Sequence, residues 1–185
     1  MAINLTKGQR IDVSLEKLGI GLGWDPSDTG NQVFDLDASC FMLGTGGKLV
    51  SESHLVFYNN KVSPDGAVQG ADDDTTGDSS SGDDETMLVN LPKVSNDVAE
   101  LVFTVTIHEY DIRRQNFGQV RNSFIRIYNL ANNEELCKYE LDEDFSTSTA
   151  IELGRLYRRN GAWKFEALGK GYTGGFNSLI SKYLG

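Results

Sequence analysis

Most of the chain consists of short segments in which apolar and polar residues alternate, separated by clusters of Gly, Asn and Asp. The apolar positions are rich in β-branched and aromatic residues, a pattern typical of strands with one buried face. The pattern predicts nine strands, at residues 10–15, 32–43, 54–58, 86–91, 100–109, 122–129, 135–141, 150–157 and 162–167. Strands of this length and spacing predict an all-β fold, an antiparallel β-sandwich of two sheets with Greek-key connections.

Turn residues and one helical pattern complete this outline. The pair Asn160-Gly161 lies between two apolar segments and is a strong hairpin signal. Apolar residues at helical spacing predict a short C-terminal helix over 176–184, entered through Gly174 and Gly175, and residues 111–117 favour a short turn or helix. No internal repeat or linker divides the sequence, which predicts a single domain over residues 1–185.

The composition is that of an ordinary globular protein, with 39% hydrophobic and 24% charged residues. The first residues do not have the pattern of a secretory signal, and no apolar run approaches the ~18 residues of a membrane helix. Cys40 and Cys137 match no CxxC motif. We therefore expect a soluble, cytoplasmic protein with two reduced thiols in buried strands.

Negative charge is concentrated in the first half of the chain. The net charge is −10, and the first hundred residues contain 17 acidic but only 6 basic groups. Residues 72–85 contain seven acids and no base, and residues 18–47 contain four acids and no base. Such a surface repels phosphates and attracts cations, so nucleic acid is not expected as a partner.

The larger acidic group can be placed on a twelve-residue calcium loop. Oxygen-bearing side chains fall at the ligand positions of such a loop, namely Asp72, Asp74, Thr76, Asp78, Ser80 and Asp83. Gly77 falls at the sixth position, where the chain must turn sharply. Calcium prefers roughly six to eight hard oxygen ligands, whereas zinc would require His or Cys.

Two features leave the ligand register of this loop open. The last position is Asp83 rather than the Glu of an EF-hand, and the flanking segments are predicted strands rather than helices. Asp84 or Glu85 could therefore replace Asp83. The alternative is a solvated acidic loop rich in Ser and Gly. Against it, carboxylates held close together repel one another unless a divalent ion relieves the repulsion.

A second acidic group lies on a predicted strand. Asp35 and Asp37 are two residues apart, so both carboxylates project from one face of that strand. The opposite face is apolar and is expected to pack into the core, through Phe34, Leu36, Ala38, Cys40 and Met42. Two neighbouring like charges favour a cation between them; the alternative is a pair of solvated aspartates on an exposed face.

Seven short motifs occur in order along nearly the whole chain. They are GLGWDP at 21–26, DLDAS at 35–39, VFYNN at 56–60, SPDG at 63–66, GDDE at 82–85, NFGQVRN at 116–122 and WKFEALGKGYTGG at 163–175. In this order the motifs resemble those of the TerD family, whose members act in resistance to tellurite and in stress responses.

The resemblance implies a calcium-binding β-sandwich encoded in operons that confer resistance to tellurite and other stresses, phage and colicins. It carries the family's ligand motifs onto Asp25, Asp35, Asp37, Asn59, Asn60, Asp73, Asp83, Asp84 and Glu85. The loop spacing adds Asp74, Gly77 and Asp78. Together these twelve residues are the candidate Ca²⁺ ligands.

We expect a non-enzymatic module in which Ca²⁺ fixes the loops at one end of the sandwich and creates a surface for partners, which we expect to be other proteins of the resistance operon. One alternative is a metal-dependent phosphoester- or nucleotide-binding protein or hydrolase, although no general base accompanies the acids in the sequence. Another is direct binding or reduction of tellurite through Cys40 and Cys137. Clustered arginines, Arg113 and Arg114 among them, also make a peripheral membrane association a candidate.

Overall fold

Two six-stranded sheets face each other in the computed structural model, which describes residues 2–26, 36–70, 85–108, 110–141, 145 and 147–184. Sheet A contains, in spatial order, β1 (Ile3–Leu5), β10 (Glu135–Glu140), β9 (Val120–Asn129), β3 (Lys17–Pro26), β7 (Glu85–Asn90) and β6 (Val68–Gly70). Sheet B contains β2 (Arg10–Val13), β12 (Ala162–Tyr172), β11 (Ala150–Arg159), β8 (Glu100–Ile107), β4 (Leu36–Leu43) and β5 (Leu55–Val56).

The paired strands are antiparallel, apart from β1 and β10, which are parallel. Two α-helices accompany the sheets, α1 (Tyr110–Arg113) and α2 (Gly175–Tyr183). Single 3₁₀ turns lie at Glu52–His54, Leu91–Lys93 and Phe117–Gln119. The predicted β-sandwich with a short C-terminal helix is therefore confirmed. None of the helices in these described ranges has the length and apolar character needed to cross a bilayer.

Alternate residues of the strands fill the space between the sheets. The inward positions of the long strands are almost fully buried and belong to one cluster, which includes Leu18, Ile20, Leu22, Cys40, Met42, Leu101, Phe103, Ile125 and Ile127. Each such side chain contributes roughly 1.5–3 kcal/mol when it leaves water. The expected apolar face of β4 is confirmed at its described positions, because Leu36, Cys40 and Met42 all belong to this core.

The outer face of sheet B is covered by α2 through a second apolar cluster. Leu179 and Tyr183 of the helix pack against the outward residues of the strands, among them Phe41, Leu43 and Val102. A buried carboxylate also ties the end of the helix to the sheet. Glu152 is 2% exposed, and it accepts hydrogen bonds from Lys182 Nζ at 2.8 Å and from the Tyr183 hydroxyl at 2.5 Å.

The predicted and observed elements differ in a few places. The nine predicted strands do not include β1, β3 or β6, although β6 coincides with the strand expected just before the acidic loop. The strand predicted over 54–58 is only two residues long, because a 3₁₀ turn ends at His54 and another turn begins at Tyr58. The short turn or helix predicted over 111–117 is a single helical turn that begins one residue earlier, at Tyr110, and Arg114, with φ of 54°, adopts the left-handed conformation directly after it. The hairpin predicted at Asn160-Gly161 joins β11 to β12, and both turn residues have positive φ.

Glycine explains why the sequence pattern hides β3, which lies in the middle of sheet A. Glycine is depleted in strands, yet the outward positions of β3 are Gly19, Gly21 and Gly23. At the first of these, a neighbouring ring fills the space of a side chain, because an added Cβ would lie 2.0 Å from Cζ of Tyr128 on β9. The space that an outward side chain of β3 would fill at Gly19 is therefore occupied by an aromatic ring from the adjacent strand.

Replacement of Gly19 by Ala should force the Tyr128 ring to move and lower the free energy of unfolding by about 1–3 kcal/mol. The measurement is urea unfolding of the purified variants. The matched control is Gly46→Ala, because an added Cβ at Gly46 meets no atom within 4 Å. A second change, Tyr128→Ser, should make the cost of Gly19→Ala much smaller. Equal costs in both backgrounds would show that the ring does not set the requirement for glycine.

Candidate metal centre

Strand register brings several strand ends to one end of the sandwich, which we call the acidic end. In sheet A, Leu22 of β3 pairs with Glu85, the first residue of β7. Gly70, the last residue of β6, pairs with Met87 two positions further along β7. In the sheet, the end of β3, the end of β6 and the start of β7 therefore lie side by side, offset by only a few positions of register.

The start of β4 in sheet B reaches the same end. Its Ala38 donates a backbone hydrogen bond to the carboxylate of Glu85 in sheet A, with an N···Oε2 distance of 2.6 Å. Residues 27–35 connect β3 to β4, and residues 71–84 connect β6 to β7. Both acidic stretches of the sequence are therefore joined to the folded strands at the acidic end.

The hydrogen bond to Ala38 gives Glu85 a structural role. In the described residues β5 pairs with β4 only at Cys40 and Phe41, so the strand edge at Ala38 extends beyond its neighbour. A buried or half-buried backbone N–H requires an acceptor, and a carboxylate is a strong one. Glu85 alternates in phase with the buried Met87 and Val89 of β7, and its carboxylate reaches across to the backbone of β4.

Asp37 lies close to Glu85 but belongs to the outward face of β4. Its carboxylate is 3.9 Å from Nδ1 of His108, and about a fifth of its side chain is exposed. Asp37 and Glu85 line one small depression of about 30 Å³, together with Lys61 and Gly70. The structure therefore brings together two carboxylates that are far apart in the sequence.

The two predicted asparagine ligands lie on the turn that follows β5. The Asn60 side chain donates hydrogen bonds through Nδ2 to the carbonyl oxygens of Ser53 and Leu55, both at 2.9 Å. These contacts hold the turn and leave the amide oxygen as the acceptor of that side chain. Asn59 is exposed beside it. Tyr58, on the same turn, lines the depression that contains Asp37 and Glu85.

The other predicted ligands lie outside what the structure describes. The backbone of Asp25 pairs with Arg121 of β9, but its side chain is not among the described ones. The remaining predicted ligands fall wholly outside the described residues, and they are Asp35, Asp73, Asp74, Gly77, Asp78, Asp83 and Asp84.

The described donors have the chemistry of a calcium site but do not complete one. Asp37 and Glu85 supply hard carboxylate oxygens, the ligand type that Ca²⁺ prefers. Within the described ranges, no three His, Cys, Asp or Glu side chains lie close enough together to hold an ion. A site at the acidic end would need oxygen ligands from the two acidic stretches as well.

Asp65, in the SPDG motif, is a structural carboxylate that the candidate ligands did not include. Its Oδ1 accepts hydrogen bonds from the Ser63 hydroxyl at 2.6 Å and the Ala67 N–H at 2.9 Å, and its Oδ2 accepts one from the Ser95 N–H at 2.9 Å. Burial alone would raise the pKa of Asp65, but these three hydrogen bonds, together with the nearby imidazole of His54, outweigh it and hold the pKa below its ordinary value. The signal in the sequence was the Ser-x-Asp spacing of a side-chain-supported turn.

The two cysteines are buried on the inward faces of different sheets. Cys40 of β4 is 0% exposed and Cys137 of β10 is 1% exposed. Burial raises the pKa of the Cys40 thiol well above its ordinary value and raises that of Cys137 to about 12. Both groups are therefore protonated thiols at neutral pH, in agreement with the expectation of two reduced, buried cysteines.

The class of protein that this geometry defines is a two-sheet β-sandwich with Asp37 and Glu85 together at one end. The chain matches the TerD domain over residues 1–183. It is 45% identical over 188 residues to the tellurium resistance protein TerD of Serratia marcescens, covering 99% of this chain and 97% of that protein. It is 46% identical over 189 residues to general stress protein 16U of Bacillus subtilis, again covering 99% and 97%.

A solved structure shares the fold. The crystal structure of a homologue of the telluride resistance protein TerD from Streptomyces coelicolor superposes with a TM-score of 0.70 and 24% identity, over 90% of this chain and 96% of that one. The chain belongs to the TerD family, as its motifs predicted.

The hydrogen bonds to Asp65 should make part of the stability depend on pH. Because its pKa is lowered on folding, the stabilisation is complete above the unfolded value of about 3.9 and is lost as the pH falls through the folded value. At pH 7, Asp65→Asn should therefore lower the free energy of unfolding by about 1.5–3 kcal/mol. The difference from the parent should shrink below about pH 4.

Urea unfolding at a series of pH values measures this difference. Asp97→Asn is the matched control, because Asp97 is exposed and its carboxylate can be neutralised at a cost within about 0.5 kcal/mol. A difference between parent and Asp65→Asn that stays constant down to pH 3 would rule out a charge-dependent role for Asp65.

Proposed function

We propose that this TerD-family protein is a non-enzymatic calcium-binding protein of a tellurite-resistance and stress-response system, working in the cytoplasm as a Ca²⁺-dependent interaction module. The observation that carries the proposal is the meeting of Asp37 and Glu85 at one depression, although they are 48 residues apart in the sequence. Both ends of the most acidic stretch, Gly70 and Glu85, line the same depression.

Charge density favours a divalent cation at this place. Residues 71–84 carry six acids and no base, and they connect two paired strands, β6 and β7. Carboxylates that lie close together repel one another, and the repulsion at short range is only partly screened by salt. Oxygen ligands in variable number suit Ca²⁺ better than Mg²⁺, which requires a strict octahedron, and better than Zn²⁺, which prefers His and Cys.

Bound Ca²⁺ would neutralise the carboxylates at the acidic end and would link segments of the two sheets. Asp37 belongs to sheet B and Glu85 to sheet A, so an ion held by both would strengthen the contact that the Ala38 hydrogen bond makes between the sheets. The outer carboxylate oxygens of the acidic stretches would then be fixed in one arrangement. A surface that forms only with calcium is a suitable docking site for protein partners, which we propose to be other proteins of the resistance system.

The relatives support the physiological setting of this proposal. One of them is named for tellurium resistance and another as a general stress protein, from two different bacteria. Acidic character argues against nucleic acid as a partner. Peripheral attachment to a membrane stays a secondary proposal, based on exposed groups such as Ile112, which is 77% exposed next to Arg113 and Arg114 in the sequence.

Burial of both cysteines disfavours direct tellurite chemistry. A thiol must be deprotonated and accessible to act as a nucleophile or a ligand, and Cys40 and Cys137 are neither. Replacing both by Ser is the direct test of this point. We expect the doubly substituted protein to keep its biological activity as long as it keeps its fold.

Calcium should raise the thermal stability of the protein. At a free concentration of 100 times the Kd, an ion that binds only the folded state adds about 2.7 kcal/mol to the free energy of unfolding. Differential scanning fluorimetry with calcium and with a chelator measures the shift, and native mass spectrometry gives the number of ions. Identical melting with and without chelator, and a mass without bound calcium, would refute the proposal.

Substitutions of the two described carboxylates separate ligation from folding. Asp37→Asn should weaken calcium binding in calorimetry by at least about tenfold, because a charged ligand is lost. Glu85→Gln should also weaken it, while its amide oxygen still accepts the hydrogen bond from Ala38. Asp97→Asn is the control with the same loss of charge elsewhere. Unchanged calcium affinity in both site variants would place the ion away from this depression.

A screen of phosphoesters and nucleotides in the presence of Ca²⁺ or Mg²⁺ tests the alternative of a metal-dependent hydrolase or nucleotide-binding protein. We expect no metal-dependent turnover. Turnover that disappears in Asp37→Asn and persists in Asp97→Asn would replace the proposal of a non-enzymatic module.

A further inference from the structure

A cleft that adjoins the depression lies on the outer face of sheet B, where α1 and the start of α2 approach the acidic end. Its volume is about 220 Å³. Four aromatic side chains line it, Phe57, Tyr58, Tyr110 and Phe176, and two aspartates do so as well, Asp37 and Asp111. We call this space the aromatic cleft. At roughly 30 Å³ for each water molecule in the liquid, it has room for a small organic group.

The charge around the aromatic cleft is negative. The lining residues that the structure describes include Asp37 and Asp111 but neither lysine nor arginine. The one imidazole of the lining, His108, is 3.9 Å from the Asp37 carboxylate and therefore does not offer an isolated positive charge. An anionic ligand would meet the Asp111 carboxylate beside the Asp37–His108 pair, whereas a cation would be attracted chiefly by Asp111.

Aromatic rings provide a second attraction for a cation. The Phe57 and Phe176 ring centroids are 5.5 Å apart, and those of Phe57 and Tyr58 are 5.2 Å apart with nearly perpendicular planes. Tyr58 is 52% exposed at the edge of the cleft. Rings and carboxylates in one cavity are the combination that binds ammonium groups in aromatic cages.

The walls of the cleft are held in place by the folded structure. Tyr110 packs directly on the entrance of α2, since a Cβ added at Gly175 would lie 2.4 Å from its ring. The N–H of Gly175 donates a hydrogen bond to the Thr149 hydroxyl at 2.8 Å. Phe176 follows immediately and contacts the ring of Phe41 in the second apolar cluster. The cleft is therefore preformed, which lowers the entropic cost of binding.

The base of the cleft, which we call its floor, is formed by the outer face of sheet B and contains two hydroxyl groups. They can accept N–H donors of an ammonium group that the carboxylates and rings leave without an acceptor. Ser39 and Thr106 come from the neighbouring strands β4 and β8 and are both nearly buried. Their hydroxyl oxygens can accept hydrogen bonds from N–H donors. A buried floor of hydroxyl groups would not suit a purely hydrocarbon ligand.

We propose that the aromatic cleft binds an alkylammonium group, either on a small free amine or on the lysine side chain of a protein partner. Carboxylates attract the charge, the rings contact the methylene groups, and the hydroxyl groups of the floor accept the N–H donors. This site adjoins the proposed calcium site, and Asp37, Phe57 and Tyr58 border both.

Titration of the ¹⁵N-labelled protein, followed by NMR, tests the proposal with named probes. Putrescine represents a free amine, and Nα-acetyl-lysine amide represents a lysine side chain. We expect shifts of the amide signals of residues 57–58, 110–111 and 176–177 with a Kd of about 1 mM or lower for at least one of them. Nα-acetyl-norleucine amide, which lacks the charge, and inorganic phosphate should not bind. A preference for either probe identifies the source of the ammonium group.

Two pairs of variants make the test specific. Asp111→Asn should weaken binding by about fivefold through lost electrostatic attraction, whereas Asp97→Asn should leave it unchanged. Tyr58→Ala should weaken it at least about threefold, whereas Tyr58→Phe keeps the ring and should keep the affinity. Thermal unfolding checks that each variant is folded.

The titrations are run with calcium and with chelator, so that amine binding and calcium binding are read separately. The proposal is overturned if neither amine shifts these signals up to about tenfold above the expected Kd. It is equally overturned if phosphate or the norleucine derivative binds as well as the amines, or if Asp111→Asn and Tyr58→Ala bind them with unchanged affinity.

Discussion

Strict alternation of side chains along the strands is the constraint on which both proposed sites depend. On β4, burial of Leu36, Cys40 and Met42 between the sheets forces Asp37 and Ser39 to the outer face. On β7, the same rule turns Glu85 inward with Met87, so that its carboxylate meets the free edge of β4. The hydrophobic core thus decides where the charged groups lie. Any shift of register by one residue would expose the core and remove both sites together.

The sequence was a good guide wherever the local pattern and the tertiary environment agree. Residues 100–107 and 150–157 were predicted as strands because they are apolar segments in the centre of a sheet. Asn160-Gly161 was predicted as a hairpin turn because few other residue pairs adopt two successive positive φ values. β3 was hidden because its alternation depends on Tyr128, whose ring comes from another strand. A property supplied by a neighbour over a hundred residues away leaves no signal in the local pattern.

The candidate sites show a similar division. Acid content and spacing pointed to Asp37 and Glu85 as candidates. A sequence does not reveal that Glu85 also accepts the N–H of Ala38, because this depends on the pairing of β5 with β4, which does not extend to Ala38 in the described residues. The aromatic cleft was not predictable for the same reason. Its rings come from the turn after β5, from α1 and from α2, and only the packing of the C-terminal helix on sheet B brings them together. Asp65 resembles a ligand in composition, yet its three hydrogen bonds make it a support for two loops.

The first strands of the chain have partners near its end. β1 pairs with residues 137–139 of β10, and β2 pairs with residues 163–166 of β12. During synthesis on the ribosome, neither N-terminal strand can find its place until most of the protein has been made, and contacts over such distances slow folding. The N-terminal segment must therefore stay unpaired through most of translation. Its strands are short and contain polar residues such as Asn4 and Asp12. These features limit the apolar strand edge that could pair with other chains before β1 and β2 find their partners.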